Sequence, residues 1–161
     1  METTLLTDGS VHPQSGIGFG AYLTFQGTLD TLDALSDRIK VRQFEDTSST
    51  KLEIQTLLWA LSEIPEREIL SYTDSQNIVG LLSRKDRLTK NGYASKGGSL
   101  IRNHEIYREF FDTIEKLEIQ FRLISGHKPS QSKDQIDKIF SMVDRASRSA
   151  LRTHMKETSN N

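Results

Sequence analysis

Four acidic residues, Asp8, Glu53, Asp74 and Asp144, sit where a carboxylate is hard to account for as surface decoration. Asp8 and Asp74 each close a strand-like run and are followed by small residues, in TDGS (residues 7–10) and TDS (residues 73–75). Ligand sites of α/β sheets gather at the carboxyl ends of strands. If the two strands are adjacent and parallel, the two charges raise each other's proton affinity unless a cation intervenes. Glu53 precedes Leu57 by four positions and Leu61 by eight, on the margin of an apolar helical stripe. Asp144 follows Val143 and comes one turn after Phe140, so it too points partly toward a core, where an unpaired charge is costly. A hard divalent cation would relieve that cost. With no cysteine and four histidines in the chain, an all-oxygen set suits Mg²⁺ or Mn²⁺ rather than zinc. Taken singly, each strand-end aspartate also reads as a turn former or cap and Glu53 as a solvated helix margin; the combination carries the metal reading.

These acids need a frame, and the hydrophobic pattern supplies one. Residues 3–8 (TTLLTD) read as a strand stopping at Gly9-Ser10, and Ile17, Phe19, Ala21, Leu23 and Phe25 alternate along a second. After a polar turn, residues 38–44 (RIKVRQF) alternate again, completing a three-strand meander. The period then changes. Ile54, Leu57, Leu58, Leu61 and Ile64 recur at helical spacing, with capping candidates in residues 47–50 upstream and Pro65 as terminator. Residues 68–73 (EILSYT) predict a fourth strand, followed by a short helix through Ile78, Val79, Leu81 and Leu82. Residues 84–102 read as a polar insertion with six basic side chains against one acid, Asp86. Asn103 is a cap candidate for a helix through Ile106, Phe110, Phe111, Ile114 and Leu117; residues 119–124 (IQFRLI) then make a fifth strand, and a loop over residues 125–132 leads to a last helix. The expectation is an α/β fold whose five-stranded mixed sheet, an antiparallel meander plus parallel strands, is flanked by helices.

At 161 residues the chain fits one domain, expected over residues 1–155, with a frayed tail from 156 to 161. Absence of cysteine excludes a disulfide framework and thiolate metal sites, and makes a reducing, cytoplasmic compartment the expectation. No run of 18 apolar residues and no secretory leader occurs, so no membrane association is expected. With 21 basic and 22 acidic side chains the chain lacks a uniformly basic coat, and binding to a polyanion would use local patches.

The segments TDGS (residues 7–10), TKLEIQTLLWAL (50–61), YTDSQ (72–76), GHK (126–128) and VDRASR (143–148) resemble, in that order, the motif blocks of type-1 ribonuclease H. The resemblance spans nearly the whole chain. It implies a ribonuclease H-like fold, hydrolysis of the RNA strand of RNA–DNA hybrids, two Mg²⁺ or Mn²⁺ ions held by Asp8, Glu53, Asp74 and Asp144, and no organic cofactor. His127 matches the family's mobile histidine, implied to assist proton transfer or product release. One departure concerns the last acid: Asp144 lies seventeen residues past His127, a longer spacing than in the familiar enzymes, and Asp137 stands at the shorter one. Asp144 is preferred, because VDRASRSALR looks more like the family's terminal helix than DKIF does.

By position, the resemblance also implies that Gln14, Ser49, Thr50 and Gln76 contact the minor groove and RNA 2′-hydroxyls, groups that distinguish RNA from DNA. Ser48 with Asn103 would form a pocket for a DNA-strand phosphate. The basic residues of the insertion, Lys90 and Lys96 among them, occupy the place of the family's basic protrusion. A monomer starting directly at its first strand is expected, with no hybrid-binding domain before it. Two other functions use the same frame: a non-catalytic nucleic-acid-binding module, and a DNA resolvase or exonuclease of the same superfamily.

Overall fold

The structure, a computed structural model, describes residues 2–27, 32–125 and 134–159. Strands β1 (Thr3–His12), β2 (Ile17–Gln26) and β3 (Lys40–Phe44) form the antiparallel meander, with a short helix α1 (Leu32–Ser36) between the last two. Helix α2 (Ser49–Glu63) leads to β4 (Glu68–Thr73), helices α3 (Gln76–Lys90) and α4 (His104–Glu115) lead to β5 (Glu118–Leu123), and α5 (Gln135–Ser159) closes the chain. The sheet order is β3-β2-β1-β4-β5, with β1 parallel to β4 and β4 parallel to β5. The expected five-stranded mixed sheet is therefore present.

Both faces of the central strands are buried, and alternation along β1 divides the core in two. Leu5 faces one layer with Ile54, Leu57 and Leu61 of α2 and Phe110 of α4. Leu6 faces the other, with Ala21, Leu23 and Phe25 of β2 and Ile139, Phe140 and Val143 of α5. Full burial of side chains such as Leu6 and Ile139 stabilises this packing by on the order of 2 kcal/mol each.

Four details depart from the sequence reading. β1 runs on to His12, because its antiparallel pairing with β2 continues after its parallel pairing with β4 ends at Leu6↔Tyr72. The polar turn before β3 holds α1, whose Leu35 is fully buried under α5. The segment read as an insertion from residue 84 is helical as far as Lys90, so α3 is fifteen residues long. The rest returns over a turn pinned by the buried Tyr93, on whose ring the Arg108 guanidinium stacks at 4.5 Å. Finally, α5 continues to Ser159, past the point where a frayed tail was expected; its intrahelical hydrogen bonds persist although its burial fades.

Candidate active site

The carboxylates meet where the parallel part of the sheet ends. In the register of the last β1–β4 pair, Leu6↔Tyr72, Asp8 and Asp74 fall level with one another. Asp8 shares the face of Leu6 and Ser10, turned toward α5. There its carboxyl is hydrogen-bonded to that of Asp144. Burial, this shared proton and the charges of Asp74 and Asp144 push Asp8 up to about 9, against a smaller opposing hydrogen bond from the Gly9 amide. Asp144 also pairs with Arg148, one turn further along α5, at 2.5 Å. A pair of serines sets the depth of α5 at this point: buried Ser147 donates to the Asp144 carbonyl at 2.9 Å, so Ser10 is the donor in the 3.1 Å contact between the two hydroxyls.

Glu53 arrives from the opposite layer. Its helix begins at Ser48, whose side chain accepts from the Lys51 amide. The helix can lie close to the sheet because glycines floor its path. A Cβ at Gly9 would stand 2.9 Å from Leu52 Cδ2, one at Gly18 2.8 Å from the same atom, and one at Gly20 2.9 Å from Thr56 Cγ2. Glu53 is thereby brought to the end of β4, where its carboxylate accepts a 2.6 Å hydrogen bond from Ser75. Its proton affinity is raised by burial and by the charge on Asp74, with the Ser75 hydrogen bond acting in the opposite direction. Thus all four acids converge on one end of the sheet, two layers contributing.

Asp137, the rival for the last position, does something else. The Asp134 carboxylate accepts from the Asp137 amide at 2.9 Å, and the Asp137 carboxylate accepts from the Asp134 amide at 3.2 Å. This reciprocal capping box opens α5 and uses the charge on free amides. Asp144 lies two turns further on, beside Asp8.

An all-oxygen donor set under mutual repulsion fits a hard divalent cation. No three His, Asp or Glu side chains among the described residues stand as a metal-binding group; Asp144 is paired with Arg148, and Glu53 accepts from Ser75.

The remaining candidates scatter around this centre. Gln14 is exposed on the β1–β2 turn, which is tied to the start of α2 by the Thr47 amide donating to the Gly16 carbonyl at 2.9 Å. That tie puts Gln14 on the same rim as Ser49 and Thr50, in the first turn of α2. Gln76 is exposed at the start of α3, Lys90 at its end, and Lys96 on the following loop. Asn103 precedes α4 in a left-handed conformation, and its side chain makes no capping hydrogen bond, contrary to the capping alternative. It lines a groove of about 550 Å³ with Arg42, Lys51 and Trp59, a lining that does not include Ser48. His127 lies outside the described residues. Sequence reading missed Ser75, Arg148 and the glycine floor; the serine directly after a strand-end acid and an arginine four residues past another were the available signals.

A mixed α/β sheet that gathers acids where its parallel pairing ends defines a class of fold with a ligand site at that edge. The RNase H family model matches residues 1–150, and the chain belongs to that family. A ribonuclease H of Clostridium botulinum (strain Hall) is 25% identical over 101 residues, covering 61% of this chain and 68% of that protein. One from Granulibacter bethesdensis is 24% identical over 137 residues, 83% of this chain and 85% of its own length. One from Xanthomonas campestris pv. campestris is 23% identical over 94 residues, 57% of this chain and 63% of its own. Among the described residues no helix is long and apolar enough to cross a membrane.

Proposed function

We propose that this protein is an endonuclease that hydrolyses the RNA strand of RNA–DNA hybrids, with Asp8, Glu53, Asp74 and Asp144 holding two Mg²⁺ or Mn²⁺ ions. The observation that carries this reading is the convergence of the acids, in which burial first and then Asp144 and Asp74 raise the proton affinity of Asp8. Family membership and relatives named Ribonuclease H support the choice of substrate. When bound, such ions supply an activated water and stabilise the leaving 3′-oxygen, giving 5′-phosphate and 3′-hydroxyl ends.

The chain's own residues do the placing. Asp8, between Asp74 and Asp144, belongs to both halves of the site. Arg148 and Ser75 keep the two helix-borne carboxylates from turning away to solvent. His127, which matches the family's mobile histidine, carries protons to or from the scissile phosphate. Gln14, Ser49, Thr50 and Gln76 read 2′-hydroxyls along one rim. Asn103 with Ser48 takes a DNA-strand phosphate, the free side chain of Asn103 favouring that role. Lys90 and Lys96 attract the hybrid backbone. The protein acts as a monomer in the cytoplasm.

The test is incubation with Mg²⁺ or Mn²⁺ and labelled RNA–DNA hybrid, double-stranded DNA, a four-way junction and single-stranded RNA. Cleavage of the hybrid alone is expected. Asp144→Asn should reduce that cleavage at least a hundredfold, on the order of 3 kcal/mol of transition-state stabilisation, whereas Asp137→Asn should leave turnover within about twofold and cost stability instead. Junction cleavage, no cleavage, or the reverse pattern for the two aspartates refutes the assignment.

A further inference from the structure

We propose that Ser75 is a positioning residue for Glu53: its hydroxyl ties the end of β4 to helix α2 and presents one oxygen of Glu53 to the divalent-ion site. The inference rests on the metal-site reading given above. Ser75 is 3% exposed, so its polar groups must be satisfied within the fold. Its amide donates to Thr73 Oγ1 at 3.1 Å. Its Oγ accepts from the Ile78 amide at 3.1 Å, which makes it the N-cap of α3.

A hydroxyl has one proton to give, and capping uses only a lone pair. The proton of Ser75 goes to Glu53 Oε2 at 2.6 Å, the length of a charge-assisted bond, across 22 residues of sequence. Capping itself leaves that proton unused, and at this burial it needs an acceptor within the fold, which Glu53 supplies. Because Oε2 is occupied, the carboxylate's free oxygen is Oε1, and rotation about the Glu53 side chain is restricted. The consequence is an economy of construction: the N-terminus of α3 locates Asp74 through the backbone and Glu53 through the next residue's hydroxyl. Partners that orient metal-binding carboxylates typically contribute ten- to a hundredfold to metal affinity.

Cap and donor can be separated by substitution. Glycine at an N-cap costs only a few tenths of a kcal/mol relative to serine, while alanine costs about 1 kcal/mol. Both remove the proton given to Glu53. Mg²⁺ binding to the purified chain, followed by calorimetry, should therefore weaken by about tenfold in Ser75→Gly, with the loss of thermal stability confined to that of the Glu53 hydrogen bond. Ser75→Ala should weaken binding equally while also melting earlier, and Ser75→Thr should bind within about threefold of the wild type. In a Glu53→Gln background the Ser75→Gly substitution should change affinity by less than about twofold, because its target is gone.

Wild-type affinity in Ser75→Gly, or a full loss that persists in the Glu53→Gln background, overturns this inference alone. Absence of divalent binding by the wild-type protein overturns the metal-site reading, and this inference with it.

Discussion

The approach of α2 to the sheet decides where Glu53 stands, and Gly20 is the position at which that approach can be tested most sharply. A Cβ at residue 20 would lie 2.9 Å from Thr56 Cγ2 and 3.0 Å from Thr56 Cβ, and it would overlap Thr56 Oγ1. Thr56 cannot turn aside freely: it is 1% exposed, sits mid-helix, and donates to the Leu52 carbonyl at 2.8 Å. The helix must therefore retreat. Overpacking of this kind costs about 1–3 kcal/mol. Loss of glycine's freedom in the unfolded chain returns about 0.4–1 kcal/mol, since the backbone at Gly20 is one alanine can adopt. The expected net loss for Gly20→Ala is about 1–2 kcal/mol, a fall in melting temperature of roughly 3–7 °C for a domain of this size. Thr56→Ala alone loses a local hydroxyl bond and some packing, about 1 kcal/mol. In the double variant the overlap with Oγ1 and Cγ2 is relieved and only the 3.0 Å approach of the residue 56 Cβ remains, so urea unfolding should give a total at least about 1 kcal/mol smaller than the sum of the singles. Because Glu53 lies one turn before Thr56, Gly20→Ala should also raise the Mg²⁺ concentration needed for half-maximal cleavage, and the double variant should recover part of it. Additivity within about 0.5 kcal/mol, or an unchanged metal requirement in Gly20→Ala, refutes the account of the glycine floor.

Two further outcomes follow from the charges. Asp8 binds its proton more tightly in the fold, at about 9, than in the unfolded chain, at 3.8; between those values the native state holds more protons, so stability falls as pH rises, by at most about 1.4 kcal/mol per unit. Without divalent ions, Asp8→Asn should therefore match the wild type near pH 4 and melt higher near pH 8, and added Mg²⁺ should stabilise the wild type alone; a variant that melts lower at pH 8 contradicts the crowded-carboxylate reading. On the substrate side, replacing exposed Arg87, Lys90 and Lys96 with glutamine should raise KM and flatten its dependence on salt, by roughly one logarithmic unit for each phosphate no longer neutralised, at similar kcat. An unchanged salt slope removes these residues from the hybrid interface.

Local pattern in the sequence was enough for the presence and order of the five strands and for α2 with a cap in residues 47–50, because alternation, helical spacing and capping are properties of neighbouring residues. Where a polar surface hid the pattern it misled: residues 84–90 continue α3, and α1 conceals a single buried leucine, Leu35. Choosing between Asp137 and Asp144 was beyond local pattern, since both are acids on one helix; the packing of α5 sets them apart, with Asp134 and Asp137 forming a capping box while Asp144 lies beside Asp8 near the Ser10–Ser147 contact. Gly9, Gly18 and Gly20 looked like mere strand glycines until a helix lay across them. Ser75 is the clearest case. Its residue type announces a cap, but that its proton goes to an acid 22 positions earlier follows only from the parallel pairing of β1 with β4 and the seat of α2, both of which arise from contacts distant in the chain.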